Sequence, residues 1–283
     1  MFGITRISLY LLLNYFITML AESIIKKRNY CPSSGDNMDY KKFIILGGPR
    51  TGSSYLSSLL RSHSQMVSYH ELFHDSDVIT GYRKYDQSKN LNLKKTRNND
   101  PKSFLDQFVF KGYSDQIKMV GFKILHSQAK DNLKLVWDYL KQCPDLKIIF
   151  IWRKNILKSL VSLKISYLTD KWIITDPSQS TDNLWVRLNY KSCRMYFQMI
   201  DSAVAEYTKL FNKNKKLTVH YEDLVDNLDS ELIKIQKFLD VKPETLGSRL
   251  KKQNNRKLSE VLLNYSELKR DFTGTRWESF FEE

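Results

Sequence analysis

Short, wholly apolar runs alternate along the chain with longer stretches in which apolar residues recur every three or four positions, and this predicts strands separated by helices. Phe43-Ile44-Ile45-Leu46, behind Lys41-Lys42, reads as a short buried strand. Two glycines and a proline break it, and Leu56, Leu59 and Leu60 then set the apolar face of a helix over residues 53–62. Further strands are predicted at 66–69, 118–124, 146–152 and 215–220, and helices at 132–141, 156–167, 183–210 and 230–239. The longest of these helices is expected to bury a stripe of Trp185, Leu188, Tyr196, Met199, Ile200 and Val204. Residues 74–117 break the rhythm. They are polar and lysine-rich, promise only a short helix near 104–110, and read as an insertion where Tyr82, Arg83, Lys84 and Tyr85 could meet an acceptor. Strands and helices in alternation predict one α/β domain on a central parallel sheet.

Ahead of the first strand, residues 7–21 are mostly apolar, interrupted by Ser8, Asn14 and Thr18 and followed by Glu22 and Lys26-Lys27-Arg28. A membrane span needs about 20 apolar residues, and this run is shorter. A marginal anchor, an interfacial helix, a targeting segment ending near Ala21 and a helix of the soluble fold all remain open. Residues 1–37 are therefore set apart as a hydrophobic helix or anchor plus linker, and 38–283 as the domain proper. Cytoplasmic and membrane-associated locations both stay open.

A chain of 283 residues can bury a full core, and 42% hydrophobic with 27% charged residues excludes a disordered or multispanning protein. Lys and Arg total 45 against 31 acids, a formal charge of +14 that favours phosphorylated or polyanionic partners. No nucleic-acid motif accompanies the basic stretch 251–257, so no nucleic-acid partner is expected. Cys31, Cys143 and Cys193, like the five histidines, lack metal-ligand spacing, and no metal is expected. The cysteines read as free thiols.

Candidate chemistry gathers where the first strand meets the first helix. Gly47, Gly48, Pro49, Arg50, Thr51, Gly52, Ser53 and Ser54 combine a glycine turn, hydroxyl donors and the unpaired N–H groups of a helix start, which together make an anion site. The spacing nearly fits a nucleoside-triphosphate loop, but Ser53 stands where that loop has its lysine, and the cation is Arg50 instead. An ATP-dependent kinase loses its phosphate-holding group by this change. That kinase, and a silent nucleotide- or polyanion-binding protein, are the alternatives.

The stretch from Gly48 to Leu56 resembles the 5′-phosphosulfate loop of sulfotransferases that use 3′-phosphoadenylyl sulfate (PAPS), and later segments fit the same resemblance. Tyr69-His70-Glu71-Leu72-Phe73 is similar to a His-Gly-Glu-Leu/Ile-Phe pattern of the carbohydrate, glycolipid and nodulation-factor type, which implies Glu71 as catalytic base; the family glycine and histidine are replaced. Arg153, directly after an apolar strand, and Ser162 resemble the 3′-phosphate motif, with Ser159 as the second choice. Physically, a guanidinium fork and a hydroxyl suit a phosphomonoester. Lys252-Gln253 resembles a Lys-Gln pair near the cofactor, and Tyr221-Glu222-Asp223-Leu224 an acidic turn read as structural. The resemblance implies a three-layer α/β/α, P-loop nucleoside triphosphate hydrolase-like fold. It further implies PAPS as donor, transfer assisted by Arg50 and Glu71, and a small-molecule or carbohydrate acceptor.

Overall fold

The computed structural model describes residues 39–81, 87–143, 145–254 and 256–282. The expectations for residues 7–21, for Cys31 and for Tyr82, Arg83, Lys84 and Tyr85 lie outside them. β1 (Lys41–Gly47), β2 (Met66–Glu71), β3 (Met119–Leu125), β4 (Lys147–Trp152) and β5 (Lys215–His220) form one parallel sheet in the order β2-β3-β1-β4-β5. The helices are α1 (Ser53–Arg61), α2 (Gln87–Asn99), α3 (Pro101–Phe104), α4 (Leu135–Gln142), α5 (Ile156–Thr169), α6 (Tyr190–Leu210), α7 (Tyr221–Asp226), α8 (Leu228–Phe238), α9 (Leu258–Val261) and α10 (Tyr265–Phe272).

β1 is an unbroken apolar run because both of its faces are covered. Ile44 and Leu46 join one core with Phe122, Ile148, Val161 and Phe197, which brings α5 and α6 onto that face. Phe43 and Ile45 join the other with Leu56, Leu59, Leu232 and Ile235, from α1 and α8. The strand period of two thus sorts one sequence into two cores, giving the three-layer α/β/α, P-loop nucleoside triphosphate hydrolase-like arrangement. From β1 the chain goes to one side of the sheet to form β2, and β4 later takes the other side. The carboxyl end of β1 is consequently the switch point, where open parallel sheets bind ligands.

Four local expectations differ from the structure. The insertion holds the 13-residue α2, which its polar sequence concealed. Arg97 of α2 is buried and donates through Nη1 to the carbonyls of Leu72, His74 and Asp77 at 2.8–3.0 Å, so its fixed point is polar rather than an apolar stripe. The long helix starts at Tyr190 rather than 183, since Asn189 caps it by accepting from the Ser192 N–H at 2.8 Å. Val186 is instead held extended, exchanging backbone bonds with Val261 and Leu263. Trp185 and Met199 are exposed, not part of a buried stripe. β2 runs on to Glu71, two residues past the predicted strand end at Tyr69.

Candidate active site

Residues 48–52 leave β1 at the switch point and enter α1. Gly52 has φ 83°, and a Cβ there would lie 2.2 Å from the Tyr221 ring, so this turn requires glycine. Arg50 is also left-handed at φ 60°, which costs a non-glycine residue about 1–3 kcal/mol. Burial of Leu56, Leu59 and Leu60 contributes roughly 1.5–3 kcal/mol each and outweighs that strain. The loop is also tied from within and beneath. Thr51 donates its hydroxyl to the Gly48 carbonyl at 2.9 Å, and Ser159 donates to the Pro49 carbonyl at 3.1 Å. Gly52 offers α1 no side-chain cap, the first turn carries no acid, and the first intrahelical bond runs from the Leu56 N–H. The N–H groups ahead of Leu56 have no intrahelical acceptor, and the helix dipole adds positive potential there.

Pro49, Arg50, Gly52, Ser53 and Ser54 line a cleft of about 1070 Å³, while Gly48 and Thr51 lie beneath it as loop structure. Arg50 donates through Nε to the Ser162 hydroxyl at 3.0 Å and through Nη1 to the Trp172 carbonyl at 2.6 Å. Burial, with the Arg153 charge adding to it, pulls its pKa down to about 10, so it stays a cation at neutral pH. Ser162 lines the cleft. Ser159, nearly inaccessible, spends its proton on the loop.

Glu71 reaches the same cleft through an irregularity in the sheet. Tyr69 is opposite Phe122 but Glu71 is opposite Lys123, so His70 is an extra residue that re-aims the carboxylate. Lys123 donates to Glu71 Oε1 at 2.5 Å and to the Ser54 hydroxyl at 2.8 Å, and Gln128 donates to Glu71 Oε2 at 2.5 Å. Burial acts to raise the carboxyl pKa, yet the Lys123 charge, His70 and these hydrogen bonds hold it at about 2. His70, buried and 3.1 Å from the Ser54 hydroxyl, is pushed down to about 3 by burial and by Lys123, so its ring is neutral.

Arg153 follows β4 directly, and its guanidinium lies 4.4 Å from the centre of the Tyr221 ring. Its buried Nε has no hydrogen-bond acceptor: Glu222 at 3.9 Å is within ion-pair range but too far for such a bond. Glu222 and Asp223 open α7 and engage Lys154 through its backbone N–H and its ammonium, a structural tie. Lys252 and Lys158 line the cleft as well, and burial, then the charges of Arg153 and Lys158, lowers the Lys252 pKa. Lys123, Gln128, Lys158, Tyr221 and Trp172 were not assigned to the site from sequence. Of these only Lys123 carried a signal, a lysine inside an otherwise apolar strand.

An anion seat at the first strand-to-helix turn, without the loop lysine and facing Arg50, Arg153, Lys158 and Lys252, is the site of a protein that handles a multiply charged ligand. The chain belongs to the sulfotransferase family, whose model matches residues 42–244. It is accordingly an enzyme of sulfuryl transfer, and PAPS is the donor that family generally uses. It is similar to Nodulation protein H of Rhizobium tropici, 29% identical over 245 residues that cover 85% of this chain and 92% of that protein. Nodulation protein H of Rhizobium meliloti (strain 1021) is 28% identical over 243 residues, covering 85% and 94%. A solved sulfotransferase from Alicyclobacillus acidocaldarius aligns with a TM-score of 0.48 and 15% identity, covering 85% of this chain and 95% of its own. Among the described residues no helix is long and apolar enough to cross a membrane, and no cluster of His, Cys, Asp and Glu could hold a metal ion.

Proposed function

We propose that the protein transfers the sulfuryl group of PAPS to a hydroxyl of a carbohydrate or glycolipid acceptor. The observation that supports this donor is the buried, acceptor-less Nε of Arg153 amid uncompensated cations. Among the described residues Arg50, Lys158 and Lys252 have no carboxylate within ion-pair distance. Such a cluster fits a nucleotide with phosphate at two ends: Arg50 and Arg153 are half-buried, Lys158 and Lys252 stand exposed beside them, and a bound polyanion relieves the repulsion among the four like charges. Bound PAPS supplies the sulfuryl group and departs as 3′,5′-adenosine bisphosphate. The first N–H groups of α1 with Arg50 neutralise the anionic end that carries the chemistry. Arg153, helped by Ser162 and Lys252, grips the second phosphate. Glu71, ionised and facing the cleft, takes the proton of the acceptor hydroxyl on a carboxylate oxygen.

The acceptor reading rests on the motif from Tyr69 to Phe73, on the Lys252-Gln253 pair and on a cleft large enough for more than the donor. Labelled PAPS with a cell extract, followed by mass spectrometry of the product, identifies it; a protein tyrosine as sole product refutes a carbohydrate. Membrane association through residues 7–21 belongs to the same proposal and is checked by fractionation of the full chain. For the donor, calorimetry should find 3′,5′-adenosine bisphosphate bound at least about tenfold tighter than AMP, roughly 1.4 kcal/mol. Arg153→Ala should erase most of that preference with the circular dichroism unchanged. Equal affinities in the parent protein remove the donor assignment.

A further inference from the structure

Resting on the sulfuryl-transfer reading above, we propose that Tyr167 and Trp172 form the platform on which a pyranose ring of the acceptor stacks. Both rings line the cleft, yet Tyr167 is 70% and Trp172 42% exposed. Tyr167 stands near the end of α5, and Asp170, left-handed at φ 53°, turns the chain so that Trp172 folds back toward it. Trp172 Nε1 donates to Asp170 Oδ1 at 3.1 Å. The two ring centres are 5.0 Å apart with planes at 87°, an apolar corner of one floor and one wall.

Large aromatic surface left open beside polar walls marks a place where something binds. A pyranose presents a face of C–H groups with slight positive charge, which suits the negative face of an aromatic ring, while its hydroxyls stay at the rim. The same cleft is also lined by polar side chains, among them His74, Asp75, Ser76 and Ser127. Placement ties the corner to the chemistry. The Trp172 carbonyl accepts from Arg50 Nη1 at 2.6 Å, so a ring stacked there sits beside the group that handles the anionic end of the donor. The platform is also held in place. Ile174 pairs with Lys251, and Gln253 donates to the Lys171 carbonyl at 2.6 Å, fixing the segment that carries Trp172 to the one that carries Lys252. A rigid aromatic anchor of this kind gains contact at little entropic cost.

The test uses the full chain at saturating PAPS, with a tagged neutral monosaccharide, a tagged neutral trisaccharide and 4-nitrophenol as acceptors. Replacing both residues, Tyr167→Ala with Trp172→Ala, should raise the trisaccharide KM about tenfold or more. The affinity for 3′,5′-adenosine bisphosphate should stay within about twofold, and Trp172→Phe alone should keep most of the parent KM. Tyr167→Ala by itself, at a site open to solvent, supplies the reading if the double variant does not fold. An unchanged KM in these variants overturns the platform while leaving the donor assignment intact. Sulfation of 4-nitrophenol with both sugars inert does so too. If the parent fails to bind the bisphosphate, the sulfuryl-transfer reading itself falls and the platform with it.

Discussion

Glu71 and His70 are neighbours in sequence with opposite electrostatic fates: the sheet irregularity at His70 sets Glu71 opposite Lys123, where the carboxylate is held charged, while the imidazole is held neutral. With its carboxyl at about 2, Glu71 is ionised throughout any working range, whereas free glutamate titrates near 4.5. The kcat/KM profile for the donor, which reports the free enzyme, should therefore show no acid limb near pH 4.5, measurable with PAPS titrations at fixed ionic strength. An anion arriving next to Lys123 and Arg50 raises the Glu71 pKa by like-charge repulsion, which makes it a better proton acceptor at the moment it is needed. Glu71→Gln should lower kcat by about 10²–10⁴ and leave nucleotide affinity nearly unchanged. Should His70→Gln lose kcat while Glu71→Gln keeps it, the base is His70. The lysine whose charge lowers the pKa of both residues was not legible as their partner beforehand, because Lys123 is 52 positions from Glu71 and only strand pairing brings them together.

At the level of elements, what could be read from the chain was whatever is held by apolar contacts. β1 and β4 are apolar runs behind leading lysines, and β3 is one interrupted by Lys123, because both faces are buried; α1 declares itself through three leucines. α2 escaped because its anchor is one buried arginine, and the start of α6 because Val186 is claimed by a backbone partner far along the sequence, near residue 262. Arg97→Leu should leave the carbonyls of Leu72, His74 and Asp77 short of a donor, each loss costing about 1–3 kcal/mol where no water replaces it. A fall in thermal midpoint together with a raised acceptor KM is the expected result. An unshifted midpoint means that α2 holds without its arginine. The turn between β1 and α1 is the stricter case. Gly52→Ala meets both a left-handed backbone and the Tyr221 ring, so nucleotide binding should be lost, as read by calorimetry.

For the molecule as a whole, one acid closes the base of the sheet. Asp240, just past α8, pairs with Lys41 at 2.9 Å and with the buried Lys147 at 2.7 Å, at the starts of β1 and β4. These hydrogen bonds take its pKa down to about 2 from an ordinary 3.8. A carboxyl depressed on folding stabilises in full above its unfolded value, and that contribution disappears as pH falls from about 4 toward 2. Because Asp240 is half exposed, salt screens part of the effect. Unfolding midpoints of the parent should drop across that range more steeply than those of Asp240→Asn, and high salt should narrow the gap. Equal slopes mean the pairs contribute nothing measurable.

The central place of β1 also sets a timetable for synthesis. Its hydrogen-bonding partners are β3 and β4, and the end of β4 leaves the ribosome about a hundred residues after β1 does. At roughly 5–20 residues per second, Phe43-Ile44-Ile45-Leu46 waits about 4–16 s for β3 with both edges unpaired, and about 5–20 s for β4 to cover the second edge. A flat, uncharged apolar strand in that condition is a template for pairing with other chains. Lys41 and Lys42, directly ahead of it, put like charges at one end of the exposed segment and so discourage two nascent copies from aligning in register.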